Sequence, residues 1–257
     1  MEMAAGAVSY DRIAARYEQV RGGVARARQL ASAVVPWLAP GSTVCDVGAG
    51  TGIVTELLYE AGMRVAAFDV SVRMLRRAAA RLRGRVAVAD AVALPLADVS
   101  VDAVVYVWVL HHVGDLAAAL SETRRVLRPG GRAVCISGLA RPLADDIDPI
   151  FRRLHQALRP SQMHHAATLL RAADSAGLQV LAEDTAVIEF ETSPDALADA
   201  IEQRLFAHLW DLDDAAWEKI VQPEVDALRS LADPGRTRQR RASHPLCVLQ
   251  VPATGRK

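Results

Sequence analysis

Net charge is the first thing this sequence lacks: Lys+Arg and Asp+Glu both number 30 in 257 residues. No global positive field exists to gather a nucleic acid, so a nucleic-acid partner is not expected. Cysteine is scarce as well. Cys45, Cys135 and Cys247 make no C-x-x-C pair, and each falls in an apolar run that reads as a strand. They are expected to be buried structural thiols, and no metal site is expected. A secretory leader pattern is missing, as is any uncharged apolar run of about 18 residues or more, which points to a cytoplasmic protein without a membrane partner. The length suits one α/β domain with additions and leaves two full domains cramped.

What is present begins at Thr43-Val44-Cys45-Asp46-Val47-Gly48-Ala49-Gly50-Thr51-Gly52. Residues with strand preference run into glycines spaced by two, and the helical pattern Ile53, Leu57, Leu58, Ala61 follows: strand, glycine loop, helix. Such a loop lets a nucleotide-like ligand lie against bare backbone amides at a helix N-terminus. The spacing is G-x-G-x-G rather than the G-x-G-x-x-G of dinucleotide folds, which weighs against a nicotinamide oxidoreductase. Asp46, two residues before the loop, disfavours a pyrophosphate and suits a ligand carrying an ammonium. Arg64–Asp69 reads as a second strand whose terminal acid can accept both hydroxyls of a ribose. Ser71 caps the next helix, with Val72, Leu75, Ala79 and Leu82 as its core stripe and Arg76, Arg77, Arg81 and Arg83 as a solvated face. Arg85–Ala91 is a third strand. Its Asp90 can accept from an exocyclic adenine amine while the Ala91 amide donates to the ring. Asp102–Trp108 is a central strand running into Val109-Leu110-His111-His112, so residues 106–112 border the ligands at the strand ends.

The acid and glycine loop, Asp69, Asp90-Ala91 continuing as Val92-Ala93-Leu94-Pro95-Leu96, and Leu127-Arg128-Pro129-Gly130-Gly131 before the strand Arg132–Ser137 occur in order over residues 43–137. This pattern resembles the class I S-adenosylmethionine-dependent methyltransferases, in particular the small-molecule branch of quinone and natural-product biosynthesis. The resemblance implies a Rossmann-like α/β fold with a seven-stranded sheet and helices on both faces. It implies S-adenosylmethionine as cofactor, S-adenosylhomocysteine as product, and a methyl group passed to an O, N or C nucleophile of a small molecule. A nucleic-acid or protein methyltransferase, or a non-catalytic cofactor-binding protein, is the alternative.

By the same resemblance the cofactor-binding residues are Tyr17, Asp46, Gly48, Ala49, Gly50, Thr51, Gly52, Asp69, Val70, Met74, Asp90, Ala91, Val107 and Trp108. His111 and His112, at the mouth of the fourth strand, are the catalytic candidates: either one acts as a base, or the pair only shapes the acceptor pocket, since the resemblance does not itself make them catalytic. The segment Tyr10-Asp11-x-x-Ala14-x-x-Tyr17 matches a lid whose tyrosines close over the cofactor; read from its residues alone, with Ile13, Tyr17, Val20 and Val24 at helical spacing and Arg12, Arg16, Arg21, Arg26 and Arg28 on other faces, it is an amphipathic helix packed on the domain. The division expected is a lid over 1–40, a core over 41–190, a helical insertion over 191–243 and a closing strand over 244–257, as monomer or homodimer. Within it, His155, His164 and His165 read as surface or packing residues. Ser161 caps a helix reaching Ala173. Phe206, Trp210 and Trp217 are core aromatics, with an acceptor contact as the alternative. Arg236–Arg241 reads as a solvated loop before the strand Leu246–Val251, or else as a site for an acidic acceptor.

Overall fold

A computed structural model describes residues 10, 14, 17–20, 22–138, 140–141, 143–158 and 166–253. Asp11, Arg12, Ile13, Arg16, Arg21, Ser161, His164 and His165 lie outside the described residues. The chain divides into two compact units: Met1–Ala140 with His164–Val187 and Ser243–Lys257, and Arg141–Met163 with Ile188–Ala242.

The first unit is built on a seven-stranded sheet in the order β3-β2-β1-β4-β5-β7-β6. Its strands are β1 (Thr43–Val47), β2 (Arg64–Asp69), β3 (Val86–Val88), β4 (Val101–Val107), β5 (Leu127–Ile136), β6 (Gln179–Thr192) and β7 (Arg238–Gln250). β1 pairs in parallel with β2 and β4, β2 with β3, and β4 with β5, while β7 runs antiparallel to β5. The order reverses between β1 and β4, and this switch point puts the loops after both strands beside one crevice. This is the Rossmann-like sheet of class I methyltransferases that the sequence implies. β1 and β4 are apolar on both faces because helices cover both: Val44, Cys45, Val104 and Val105 are fully buried. Cys135 and Cys247 face each other across β5 and β7 and, like Cys45, are buried free thiols.

Helices α1 (Tyr17–Val20), α2 (Gly23–Val34), α3 (Ile53–Glu60), α4 (Val72–Arg81), α5 (Leu116–Val126) and α7 (Ala166–Ser175) also belong to this unit. The expected single N-terminal stripe is broken: Gly22 and Gly23 take φ of 79° and 53°, and α2 instead buries Ala27, Leu30, Ala31 and Val34 while Val24 is exposed. α4 also departs from its expected face. Ser71 caps it by accepting the Met74 amide, and this start point turns Met74, Leu75 and Ala78 inward and leaves Val72 exposed. Nor is Arg81 solvated. It makes a two-pronged pair with Glu18 at 2.6 and 2.9 Å, meets Glu56 at 3.0 Å and donates to the Thr51 carbonyl. Strand bounds shift too: β3 ends at Val88, β5 already begins at Leu127, and β4 stops one residue before Trp108.

The second unit contains α6 (Asp148–Leu158), α8 (Pro194–Glu202), α9 (Asp214–Ala216), a π turn over Trp217–Val221 and α10 (Gln222–Arg229). Its core holds Ile147, Ile150, Leu154, Ile201, Leu209, Val221, Val225 and Leu228, with Phe206 and Trp217 packed against it. His155 packs between Phe151 and His208, and Trp210 donates its indole N–H to the Arg204 carbonyl at 2.8 Å. The basic run is not a loop, since β7 starts at Arg238. Arg240 is buried, holds Asp145 through Nε at 2.7 Å and Nη2 at 3.1 Å, and lies 3.7 Å from Asp148. Arg238 pairs with Asp146 at 2.9 Å. Sequence shows four arginines but not the acids of a distant turn that pair with two of them, Arg238 and Arg240. Among the described residues no helix is long and apolar enough to cross a membrane.

Candidate functional site

The site is assembled at the C-terminal ends of β1, β2 and β4. Gly48, Gly50 and Gly52 take φ of 70°, 57° and 72°, a region that a side chain disfavours, and they fold the chain back from β1 into α3. Each does something different. A Cβ on Gly52 would meet Leu82 and Ala78, so this glycine lets α3 enter close against α4. A Cβ on Gly48 would overlap the Val109 side chain, so the loop and the segment after β4 interlock. A Cβ on Gly50 would meet nothing within 4 Å, which leaves open space beside the loop.

The loop amides are less bare than the sequence implies. Gly48 and Ala49 donate to the Phe68 carbonyl at 2.7 and 3.0 Å, Gly52 donates to Ala49, and Gly50 donates to Asp69 Oδ2 at 2.8 Å. The loop is thus tied to the end of β2 before any ligand arrives. Asp69 Oδ1 accepts the Ser71 amide at 2.8 Å, so the two carboxylate oxygens tie together the glycine loop and the start of α4.

Two cavities share this wall. The first is lined by Tyr17, Glu18, Arg26, Asp46, Gly48, Ala49, Gly50, Thr51, Val107 and Trp108. The second, of about 120 Å³, is lined by Tyr10, Tyr17, Gly48, Gly50, Asp69, Val70, Met74, Val107, Trp108, His111, His112 and Gly138. Of the residues that sequence assigns to the cofactor, Gly52, Asp90 and Ala91 line neither. Asp90 instead closes its own turn, accepting the Val92 amide at 3.2 Å. Met74 is almost fully buried in the core and also stands at the cavity wall.

Asp46 is 2% exposed and accepts the Thr55 hydroxyl. Burial pushes its carboxyl up to about 6, against the Thr55 bond and with help from the Asp69 charge. Trp108, just past β4, sits at φ 59°, a rare angle for a side chain of its size. Its indole Nε1–H is buried with no hydrogen-bond partner among the described residues. The Arg26 guanidinium lies 5.5 Å from the Trp108 ring and the His244 ring 5.1 Å from it. His244 Nδ1 meets the Ser137 carbonyl at 2.9 Å, so this nitrogen carries the proton. Burial lowers the His244 pKa to about 4, with Arg26 adding to the effect and the Ser137 bond opposing it, so the ring is neutral at cellular pH.

The histidine pair sits in a 3-10 turn over Leu110–His112 with ring centroids 3.9 Å apart. His112 Nε2 meets the Tyr10 hydroxyl at 2.9 Å, and Tyr10 packs edge-on against Tyr17 at 5.8 Å. Tyr10 and His112 are therefore in direct contact. Sequence reasoning missed Arg26, Gly138 and His244 as site neighbours, and none carries a local pattern that would have marked it.

The chain matches the methyltransferase domain family over residues 45–135. Among curated relatives it is 46% identical over 97 residues to the demethylmenaquinone methyltransferase of Mycolicibacterium paratuberculosis, covering 38% of this chain and 42% of that protein. To the protein of the same name from Corynebacterium urealyticum it is 37% identical over 115 residues, covering 45% and 49%. The chain thus spans less than half the length of these relatives. Among solved structures, the [4+2]-cyclase SpnF aligns with TM-score 0.60 at 20% identity, covering 95% of this chain and 94% of that one. The Haemonchus contortus phosphoethanolamine N-methyltransferase 2, solved with phosphomonomethylethanolamine and S-adenosylhomocysteine, aligns with TM-score 0.58 at 18% identity, covering 95% and 58%. At these identities the two structural likenesses carry the fold alone.

Proposed function

From a chain that carries a class I S-adenosylmethionine-dependent methyltransferase domain, we propose an enzyme that moves a methyl group from this cofactor to an O, N or C nucleophile of a small molecule. The acceptor class proposed is a quinone-like or natural-product intermediate, in line with the curated relatives named demethylmenaquinone methyltransferase. The observation that carries the reading is the wall common to both cavities. Gly48, Gly50 and Trp108 line both cavities, and the second adds Asp69 and the Tyr10–His112 contact, which supports a donor and an acceptor meeting there.

The residues fit such a cofactor. Asp69 lines the second cavity and can accept ribose hydroxyls, Asp46 offers a carboxylate to an ammonium, and Arg26 lines the same cavity as Asp46, where it can face a carboxylate. Trp108 offers a buried N–H that lacks an acceptor among the described residues. Asp90 and Ala91 are proposed for the adenine edge on resemblance. The cofactor supplies a methyl on a sulfonium, which is already activated. What remains for the protein is alignment and exclusion of water. Tyr17 and Trp108 wall both cavities and shield the space between them. His111 and His112 face the acceptor side, and a neutral imidazole there can take a proton from a phenol or alcohol. A lid over 1–40, a core over 41–190, a helical insertion over 191–243 and a closing strand over 244–257 complete the proposal.

The test is incubation with methyl-labelled S-adenosylmethionine and a panel of quinols, phenols and amines. Label should pass to a hydroxylated ring compound. No transfer to any member would leave a cofactor-binding protein without this acceptor class.

A further inference from the structure

We infer that Gly138, which follows β5, is a positioning residue. The absence of a side chain there seats the His111 ring against His112 and sets the room left for the acceptor. The inference rests on the proposed methyl transfer for its kinetic consequences and on geometry alone for its structural ones.

A Cβ built on Gly138 would lie 2.9 Å from His111 Nδ1 and 3.0 Å from Nε2, with Cε1 closer still. No ordinary packing contact is that short. Something must move, and both sides are fixed. On the Gly138 side, Ser137 donates its amide to the Pro245 carbonyl at 2.9 Å and receives His244 Nδ1–H on its own carbonyl at 2.9 Å. The backbone leading into Gly138 is thus stitched to β7. On the His111 side, the His112 amide closes the turn on the Val109 carbonyl at 2.7 Å, and the Val109 side chain fills the space where Gly48 lacks a Cβ. The soft coordinate left is the His111 side chain, whose neighbour is the His112 ring at 3.9 Å.

Gly138 is also a clean place to test this. Gly48 interlocks just as closely, but its φ of 70° would strain any substitution and it belongs to the cofactor loop. Gly138 is not among the residues with left-handed backbone, and the three atoms nearest an alanine Cβ there all belong to the His111 ring. Displacement of that ring enters a cavity of only about 120 Å³, so the acceptor loses space and the ring loses its place beside His112.

The experiment compares wild type with Gly138→Ala, His111→Ala and the double variant. Gly138→Ala should lower kcat/KM for the acceptor by about tenfold or more while the donor Kd stays within about twofold. In the His111→Ala background the same change should cost less than about twofold, because the clash is gone. Two readouts need no turnover: the His111 imidazole NMR signals should shift in Gly138→Ala, and any fall in Tm should be relieved in the double variant. If Gly138→Ala does not fold, recovery of folding on adding His111→Ala supports the inference. Additive losses in the double variant, or unmoved His111 signals in a folded Gly138→Ala protein, overturn it. If methyl transfer itself proves absent, the signals and Tm still decide the inference, so the two failures are told apart.

Discussion

Asp69 Oδ2 accepts the Gly50 amide at 2.8 Å, so the terminal acid of β2, which is proposed to bind a ribose, also holds the glycine loop. Replacing Asp69 with Ala therefore removes a ligand contact and frees a loop amide together. Affinity for S-adenosylmethionine should fall by about 1–3 kcal/mol, the scale for buried partners left unpaired. Asp90→Ala, at a residue that lines neither cavity, should cost less. Calorimetric titration of both variants checks the order, and a larger loss in Asp90→Ala would reverse the roles assigned to the two acids.

Asp46 predicts a pH dependence of cofactor binding. Its carboxyl titrates at about 6 in the free protein, and an ammonium partner needs it ionised. Affinity should be flat above that pH and fall by up to about tenfold per unit below it, because binding must then expel a proton. A ligand lacking the amino-acid part, 5′-methylthioadenosine, should show no such slope, and neither should Asp46→Asn. Equal slopes for both ligands would place the titrating group elsewhere.

His244 makes stability, rather than binding, fall on acidification. Its pKa of about 4 when folded is below the ordinary value near 6.5, so the unfolded chain binds the extra proton first. Its contribution is whole above pH 6.5 and is lost as pH falls toward 4, by up to about 3 kcal/mol. Denaturant unfolding of His244→Gln should show a shallower loss over that window than wild type. Identical pH profiles would mean that the ring is not held neutral by burial.

Glu18 tests the lid. Burial pushes its carboxyl up, but the hydrogen bonds and charge of Arg81, with Thr51 and Arg77, outweigh this and leave it below its usual value. The pair therefore adds stability above the ordinary carboxylate pKa and loses it as pH drops through the lowered one. Glu18→Gln should speed amide exchange in α1, and S-adenosylhomocysteine should slow it again if ligand and lid are coupled. Exchange unaffected by either change would sever α1 from the cofactor.

Local patterns announced much of this. β1, the glycine loop and α3 were legible because strand preference, glycine spacing and helical periodicity adjoin within twenty residues or so, and Asp69 because it ends an apolar run. What stayed hidden depends on approach between distant segments. Gly138 matters through a ring 27 residues earlier in the chain, and Arg240 is neutralised by Asp145, 95 residues away. In α4 the sequence showed the cap at Ser71 and placed Leu75 and Leu82 inside, but Met74 and Ala78 take the inward places expected of Val72 and Ala79.

Calorimetry on the wild-type chain tests the central claim most directly, with S-adenosylmethionine, S-adenosylhomocysteine and a nicotinamide dinucleotide as separate titrants. The two sulfur ligands should bind one per chain and compete with each other, while the dinucleotide should give no heat and leave their binding unchanged. Binding of the dinucleotide in place of S-adenosylmethionine, or no binding of either sulfur ligand, would contradict the cofactor assignment on which the proposed methyl transfer rests.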